Sequence, residues 1–353
     1  MKRSLLICFL ISIIPFAFGQ KVIFLHHSTG EGVYNEGDVP GWITSYNTGH
    51  GTGYQITERS FPNTPYPWEN YPYDYWNLWV NNACDNTDPD IACLDKIAQD
   101  YDVIIFKHCF PGAGVLADDG NPQVGSEVKT LENYKLQYSA LRDLMDTFPD
   151  NKFIVWTLAP LHRLATNASD AARAREFVDW VKTSWIAEDG KPHPNIYIFD
   201  FYGYAAESNP EPANGKVNCL RYEYEKDHSD SNSHPNVLAN ETIGPLFAEF
   251  IVNTIEETEP VSVGDAEQNF PSAEQLFWSP NPSSGNILIE MIQPAGRYHL
   301  DIIASNGAIV HQDVLRFTES SLPLDIGHLG NGVYMIRVYN DESNFQGKLV
   351  MAD

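Results

Sequence analysis

Four short and almost continuous apolar runs constrain the fold of this chain more than any other feature. They are rich in Val, Ile and Phe, and each ends in polar or turn-forming residues. Runs of this length are too short for stable helices and are typical of strands buried on both faces of a parallel sheet. The runs occupy residues 22–25, 102–106, 153–158 and 196–200.

Amphipathic segments follow these runs. Apolar residues recur at helical spacing over 131–148 and 171–185, and a last helical stretch covers 235–255. Gly244-Pro245 predicts two helical pieces in that last stretch, because proline removes a backbone donor and clashes with the preceding turn. The alternation of strand and helix predicts a doubly wound α/β domain with a parallel sheet over residues 20–255.

Ser28 stands directly after the first run, in the sequence KVIFLHHSTG. Ligands of open α/β sheets bind in the crevice outside the carboxyl ends of the strands, so Ser28 is a candidate nucleophile there. A serine needs a base within hydrogen-bonding reach. His234, just before the last helical stretch, can reach that crevice. Most serines after strands begin a turn or cap a helix, and His234 is as readily interpreted as a cap of the helix that follows it as a base.

The region between the first two runs is dense in aromatic residues. Residues 31–79 contain many Trp and Tyr rings together with Gly and Pro, which predicts a long irregular segment. Its rings either form a wall that binds sugars or acyl groups, or bury each other to hold the segment in place. For the first alternative we expect Trp68 and Trp76, with His108 from the next strand end, to contact substrate.

Composition narrows the classes of partner. The chain has 353 residues, and its 43% hydrophobic and 12% aromatic content is enough for a folded core. Its formal net charge of −25 argues against nucleic acid and anionic membranes, which both require a cationic surface. Neutral and cationic partners remain.

The N-terminus is typical of a signal peptide spanning residues 1–19. Lys2 and Arg3 precede an apolar run over 5–18, and the small-residue site 17–19 follows. No later stretch is long and apolar enough for a membrane span, so the mature chain is expected to be exported without one.

The four cysteines that follow the predicted signal peptide would then meet an oxidising compartment, and they can form disulfides in three different pairings. We expect Cys84 to pair with Cys93 across a short acidic loop, and Cys109 to pair with Cys219. None of them belongs to a CxxC pair, which disfavours a zinc site.

The composition changes after residue 255. Residues 256–276 are polar and acidic, as in an interdomain linker. Short β-rich runs then occupy 286–291, 298–304, 308–315 and 332–339, with a hairpin turn at 305–307. This pattern predicts a small antiparallel β-sandwich over residues 277–353.

The tail resembles the C-terminal sorting domain of the type IX secretion system of Bacteroidota. The resemblance rests on the Pro-Asn-Pro of residues 280–282, the Asn-Gly of 306–307 and the Gly-Val-Tyr of 332–334, in that order. It implies the secretion machinery as a partner, export through the periplasm and outer membrane, and a protein that is secreted or attached to the cell surface.

The first domain resembles the SGNH or GDSL hydrolase superfamily. The resemblance rests on the strand ending at Ser28 and on residues 231–236, SNSHPN, which are similar to the family's His-Pro-Asn. It implies that Ser28 is the nucleophile and His234 the general base. The family's orienting carboxylate usually precedes the histidine by three residues, where Ser231 stands here. We therefore expect Asp230 to take this role, with Asp227 in reserve.

One departure from the family concerns the oxyanion. The family places an asparagine donor after the strand that corresponds to 102–106, and this chain has KHCF at residues 107–110. Backbone N–H groups of Ser28 and Gly30 are the expected replacement donors.

Three functions follow as hypotheses. The first is an exported serine esterase that removes acyl groups from carbohydrates or small esters, without cofactor or metal. The second is a non-catalytic glycan-binding or adhesive protein on the same scaffold. The third is a metal-dependent hydrolase that uses His26, His27, His108, His228 and Asp227. It is disfavoured because His26 and His27 point to opposite faces of a strand.

Overall fold

A computed structural model describes most of the chain. The described residues are 19–257, 276–279, 283, 285–291, 296–304, 309–317, 321–340 and 344–351. Nearly all of the predicted signal peptide, the linker from residue 258 to 275 and the hairpin turn at 305–307 lie outside these ranges. The chain divides into two compact units on either side of residue 264, and each is described by itself.

The first unit contains a five-stranded sheet in which every neighbouring pair is parallel. The strand order is 2-1-3-4-5, which is the order of flavodoxin-like sheets. All four predicted apolar runs are strands of this sheet, so the predicted α/β fold is confirmed. The strands are β1 (Lys21–His26), β2 (Gln55–Ser60), β3 (Val103–Phe106), β4 (Lys152–Trp156) and β5 (Ile196–Phe199).

Helices cover both faces of this sheet. They are α1 (Ser28–Asn35), α2 (Val39–His50), α3 (Pro72–Tyr75), α4 (Leu94–Asp100), α5 (Leu131–Met145), α6 (Ala168–Trp180), α7 (Phe201–Ala205) and α8 (Val237–Glu256). Successive strand residues point to opposite faces and so enter two separate cores. One core lies under α5 and α6, and the other lies under α1, α2 and α8.

The prediction that residues 31–79 form an irregular segment is wrong over most of this range. It contains the rest of α1, all of α2 and α3, and strand β2. Strand β2 escaped prediction because it lies at the edge of the sheet and is largely exposed, so its sequence QITERS carries no continuous apolar run. Its backbone pairs with β1 from Lys21–Gln55 to His26–Ser60.

The predicted break at Gly244-Pro245 is also wrong, because α8 runs through both residues. Gly244 packs against Gly37 so closely that a Cβ atom on Gly244 would lie 2.5 Å from the Gly37 Cα. Phe247 and Ile251, on the next turns, are fully buried against the sheet. This burial outweighs the cost of a proline inside a helix, which is about 3 kcal/mol.

The second unit is an antiparallel β-sandwich, as predicted. A three-stranded sheet of order 10-7-6 and a four-stranded sheet of order 12-11-8-9 share one apolar core. The strands are β6 (Leu276–Ser279), β7 (Asn286–Met291), β8 (Gly296–Ala304), β9 (Ile309–Phe317), β10 (Ser321–Asp325), β11 (Gly332–Tyr339) and β12 (Asn344–Met351).

No helix within the described ranges is both long enough and apolar enough to cross a membrane.

Candidate functional site

Ser28 lies at the carboxyl end of an inner strand of the sheet. Strand β1 ends at His26, His27 precedes the helix, and Ser28 is the first residue of α1. The buried run that forms β1 therefore delivers an exposed serine to the crevice above the sheet. The first N–H groups of a helix have no hydrogen-bond partner within the helix, so the backbone N–H of Ser28 is a further donor at the site.

His234 approaches Ser28 from the loop that precedes α8. Its Nε2 lies 2.8 Å from the Ser28 Oγ. Its Nδ1 lies 2.7 Å from the Asn232 Oδ1, and its backbone N–H donates to the same oxygen at 3.1 Å. Because a backbone N–H requires an acceptor, the amide oxygen of Asn232 must face the ring. Nδ1 then carries the proton, and Nε2 is left to accept from the serine hydroxyl.

The structure does not bring Asp230 or Asp227 to the His234 ring. Asp230 Oδ1 accepts from the Asn232 N–H at 2.7 Å, and Asp227 Oδ1 accepts from the backbone and hydroxyl of Ser229. Each of these side chains caps the backbone two residues further on, which is the usual turn chemistry of Asp and Asn. Asn232, and not the predicted Asp230, therefore lies beside the His234 ring, and Asp230 accepts from the Asn232 backbone instead.

Asn232 is the residue of this site that the sequence interpretation missed. The family comparison directed attention to carboxylates, whereas the amide stands two residues before the histidine. The same two-residue turn preference was available as a signal, since it places the Asn232 oxygen beside the His234 backbone.

The environment of His234 favours its neutral form. Burial lowers the pKa of His234, and the charges of Lys226 and Lys107 lower it further. A neutral imidazole at neutral pH is the state in which a histidine accepts a proton from serine. The Phe110 ring meets the His234 ring edge to face, with centroids 4.8 Å apart, and packs against one side of it.

The loop that carries His234 is anchored at several points. Glu225, whose side chain is fully buried, lies 3.0 Å from His162 Nε2 and 3.1 Å from Arg163 Nε. The backbone N–H of His162 donates to Ser233 Oγ at 2.9 Å. Asn236 caps the start of α8 by accepting from the Ala239 N–H. His234 therefore lies between two anchored residues, Ser233 and Asn236.

One of the two predicted oxyanion donors is already engaged. The Gly30 N–H donates to the His27 carbonyl at 2.7 Å, so the prediction for Gly30 is corrected. Gly30 serves packing instead, since a Cβ there would lie 2.5 Å from the His26 Cβ. The Thr29 N–H is bonded to Cys109. Of the first three amides of α1, the Ser28 N–H is left for an oxyanion.

Cys109 occupies the place where the resembling family has its asparagine. It follows β3, and its Sγ lies 3.8 Å from the Ser28 Oγ. Cys109 and Cys219 are both free and buried, so the predicted bridge between them is wrong. The predicted Cys84–Cys93 disulfide is confirmed.

The three predicted substrate-binding residues have different surroundings. Trp68 is 37% exposed and stacks on His27, the residue before Ser28, with ring centroids 3.7 Å apart. Trp76 is buried. His108 is fully buried, and burial followed by the charge of Lys107 lowers its pKa to about 3. His108 is therefore removed from the predicted substrate contacts, and most of the aromatic rings of this region form core.

The proposed metal ligands are dispersed. His26 Nε2 pairs with Glu58 at 2.7 Å, His27 Nε2 bonds the Pro62 carbonyl at 2.7 Å, and His228 pairs with Glu225. Within the part of the chain that the structure describes, no three His, Cys, Asp or Glu side chains form a metal-binding group.

An open cavity of about 380 Å³ adjoins the Ser28–His234 pair. It is lined by charged and amide side chains as well as by the pair itself. Glu31, Glu36 and Lys226 supply the charges, and Glu36 accepts from the Asn240 amide at 2.6 Å. Such a lining suits a polar ligand with several hydroxyl groups better than a long acyl chain.

Comparison with known proteins identifies the tail. Residues 279–352 match the family described as the secretion system C-terminal sorting domain. The chain is thus exported by the type IX system, to the cell surface or into the medium. No curated protein sequence matches the chain significantly.

Solved structures give only weak likenesses. A β-sandwich protein of the DUF3244 family from Bacteroides vulgatus has 11% identity and a TM-score of 0.18, covering 22% of this chain and 94% of its own. A gut microbial diltiazem-metabolizing enzyme has 11% identity and a TM-score of 0.35, covering 85% and 71%. A mannanase of Cellulomonas fimi has 8% identity and a TM-score of 0.22, covering 92% and 70%. TM-scores this low carry no argument about activity.

Proposed function

We propose that this exported protein is a serine ester hydrolase in which Ser28 is the nucleophile, His234 the general base and Asn232 the residue that orients the base. The observation that carries the proposal is the 2.8 Å contact between His234 Nε2 and Ser28 Oγ, with Nδ1 held by Asn232. A serine, a histidine base and a third group that holds the base form a recurrent arrangement for acyl transfer.

The proposed reaction proceeds through an acyl-enzyme. His234 takes the Ser28 proton as Oγ attacks the ester carbonyl, and the Ser28 N–H donates to the developing oxyanion. His234 then protonates the leaving alcohol. A water, activated by the same imidazole, attacks the acyl-serine and releases the acid.

We propose acylated carbohydrates as the substrate class. The exposed face of Trp68 beside Ser28 offers an apolar platform of the kind on which sugar rings stack. The polar cavity that adjoins Ser28 suits the hydroxyl groups of the same ligand. A protein delivered outside the cell meets such glycans directly.

Replacing the nucleophile tests this proposal. We expect the mature protein to hydrolyse p-nitrophenyl acetate and acetylated oligosaccharides, and Ser28→Ala to lower kcat by at least about three orders of magnitude. Ser45→Ala is the matched control, since Ser45 is exposed on α2 and its hydroxyl bonds only the carbonyl one turn earlier. Unchanged hydrolysis by Ser28→Ala would contradict the mechanism.

Cys109 favours one second candidate, a glycan-binding protein without catalysis. The sulfur stands where the resembling family has an oxyanion donor, and loss of such a donor typically costs two to three orders of magnitude in rate. Under this candidate the wild type hydrolyses no ester of a broad panel, while both wild type and Ser28→Ala bind oligosaccharides with equal Kd.

A further inference from the structure

Lys107 is a buried lysine beside Cys109; burial lowers the pKa of its ammonium group, and Cys109 opposes that shift. It follows β3, its side chain is fully buried, and its Nζ donates to Cys109 Sγ at 3.3 Å. Within residues 19–257 that sulfur is the one acceptor recorded for Nζ. Gly30 leaves room for the lysine, since a Cβ there would lie 3.0 Å from the Lys107 Cδ. A buried ammonium needs a charged partner, and the sulfur is placed to be that partner.

Thr29 makes two further contacts with the same sulfur. The Thr29 hydroxyl lies 3.5 Å from Sγ, and the Thr29 N–H, at the start of α1, is bonded to it. Burial by itself raises the pKa of Cys109, but the Lys107 charge and the Thr29 donors more than offset it, so the pKa lies below its usual value. Helix N-termini and neighbouring lysines are the surroundings that make a cysteine reactive.

Cys219 provides a matched comparison within the same chain. Cys219 is fully buried and Cys109 is 3% exposed, so the two thiols differ little in accessibility. Its surroundings differ, because burial raises the pKa of Cys219 to about 11. A difference in reactivity between these two thiols therefore reports on the Lys107 and Thr29 contacts.

We propose that Cys109 is a thiolate site for oxidation by hydroperoxides, and that oxidation of its sulfur blocks Ser28. The thiolate attacks a peroxide oxygen, the S–O bond forms as the O–O bond breaks, and the leaving hydroxide or alkoxide takes a proton from solvent. The sulfur is oxidised by two electrons to a sulfenic acid, and the peroxide is reduced by the same two electrons.

The position of the sulfur explains the block. Sγ is buried, but it lies 3.8 Å from the Ser28 Oγ and 3.5 Å from the Thr29 hydroxyl, and both of these residues line the open cavity. This cavity is the proposed path of a small peroxide to the sulfur. An oxygen added to Sγ occupies the gap between the two side chains. It competes with His234 for the Ser28 hydroxyl. This second half of the proposal rests on the proposed function, whereas the modification itself does not.

The first test measures the modification without any assay of activity. The intact mature protein is treated with hydrogen peroxide and dimedone at pH 7, and the adducts on the Cys109 and Cys219 peptides are timed by mass spectrometry. We expect Cys109 to react at least about tenfold faster than Cys219, and Lys107→Met to slow Cys109 by about tenfold while leaving Cys219 unchanged. Equal rates at the two cysteines, or no adduct at Cys109, overturn the proposal.

The wild type supplies a second readout should Lys107→Met fail to fold. The rate of adduct formation at Cys109 is expected to level off below pH 8.5, the pKa of a free thiol, because the thiolate is already formed there. A rate that keeps rising through pH 8.5 overturns the thiolate assignment.

Ester hydrolysis tests the block. Hydrolysis is expected to fall in step with oxidation of Cys109, and Cys109→Ser is expected to keep its own starting rate under peroxide. Full activity of the oxidised protein overturns the block. Selective adduct formation on a protein that never hydrolyses an ester supports the modification site and contradicts the proposed function, so the two failures are distinguishable.

Discussion

Asn232 holds the His234 ring with a neutral amide, where such a histidine more often has a carboxylate. The amide oxygen fixes the tautomer, because it accepts from both Nδ1 and the backbone N–H. It gives no negative charge to stabilise the imidazolium that forms when Ser28 loses its proton. The pKa of His234 is lowered by burial and by the charges of Lys226 and Lys107, so the protonated imidazolium is disfavoured.

Adding the missing charge gives a prediction for the pH profile. The base must be neutral, so kcat/KM of the wild type should rise with pH through a midpoint below 6.5, the usual pKa of histidine. In Asn232→Asp the carboxylate stabilises the imidazolium, which should move this midpoint up by about one unit. It should also raise the plateau rate by about tenfold. Initial rates between pH 4 and 9 measure both effects.

The control for charge alone is Asn209→Asp, which adds the same charge at an exposed position away from the site. It should leave the profile unchanged. An Asn232→Asp profile that coincides with that of the wild type would mean that this side chain does not face the catalytic imidazole.

Trp68 gives a prediction about substrate. Removing its ring in Trp68→Ala should raise KM for an acetylated oligosaccharide about tenfold, because an aromatic contact contributes about 1 kcal/mol beyond its buried area. Hydrolysis of p-nitrophenyl acetate, which has no sugar ring, should change less than twofold. Trp68→Phe should restore most of the oligosaccharide KM. Equal losses on both substrates would show that Trp68 acts only by supporting His27.

At the level of structural elements, the loop between residues 222 and 236 brings His234 to Ser28. Asp227, Asp230 and Asn232 each cap the backbone two residues further on, so the loop is built from successive local turns. Glu225 ties it to His162 and Arg163, which follow strand β4. The geometry at Ser28 thus depends on ion pairs of the buried Glu225 carboxylate, outside the Ser28–His234 pair.

Neutralising these ion pairs should loosen the loop. Glu225→Gln leaves the half-buried Arg163 without its carboxylate, which we expect to lower the free energy of unfolding by about 2 kcal/mol. It should also lower kcat as His234 loses its fixed position. Urea unfolding and initial rates measure the two effects.

Glu223→Gln is the matched control, since Glu223 is exposed and lies 3.7 Å from Arg221. Exposed pairs of this kind contribute little, so its stability should stay within about 0.5 kcal/mol of the wild type. Equal effects from the two substitutions would argue against an anchoring role for Glu225.

At the scale of the whole molecule, an acidic α/β unit is joined to a sorting unit that directs export. The sandwich has its own apolar core, separate from the two cores that flank the parallel sheet. The candidate site uses residues of the first unit alone. Chemistry and delivery are therefore assigned to different parts of the chain.

Deleting the sorting unit tests this division. A chain without residues 277–353, expressed in a bacterium that has the type IX system, should remain in the cell, whereas the full chain should reach the surface or the medium. Fractionation followed by immunoblotting measures the location. Full-length Ser28→Ala should be exported like the wild type. Export of the truncated chain would place the signal elsewhere.

The sequence by itself determined the features that depend on neighbouring residues. Buried inner strands need apolar side chains on both faces, so β1, β3, β4 and β5 were visible as continuous runs. The serine at the end of β1 followed from the same pattern. The Cys84–Cys93 disulfide and the tail motifs are also local in sequence.

Only the tertiary structure decided the features that depend on distant contacts. Strand β2 is defined by pairing along the sheet edge, and α8 continues through Pro245 because packing against the sheet outweighs its cost. Burial of His108 removes it from substrate, and the Gly30 N–H is taken by His27. Cys109 meets Ser28 and Thr29 because the end of β3 and the start of α1 lie side by side. Asn232 lies between these cases, since its turn is local, but its role required His234 to face a serine more than two hundred positions earlier.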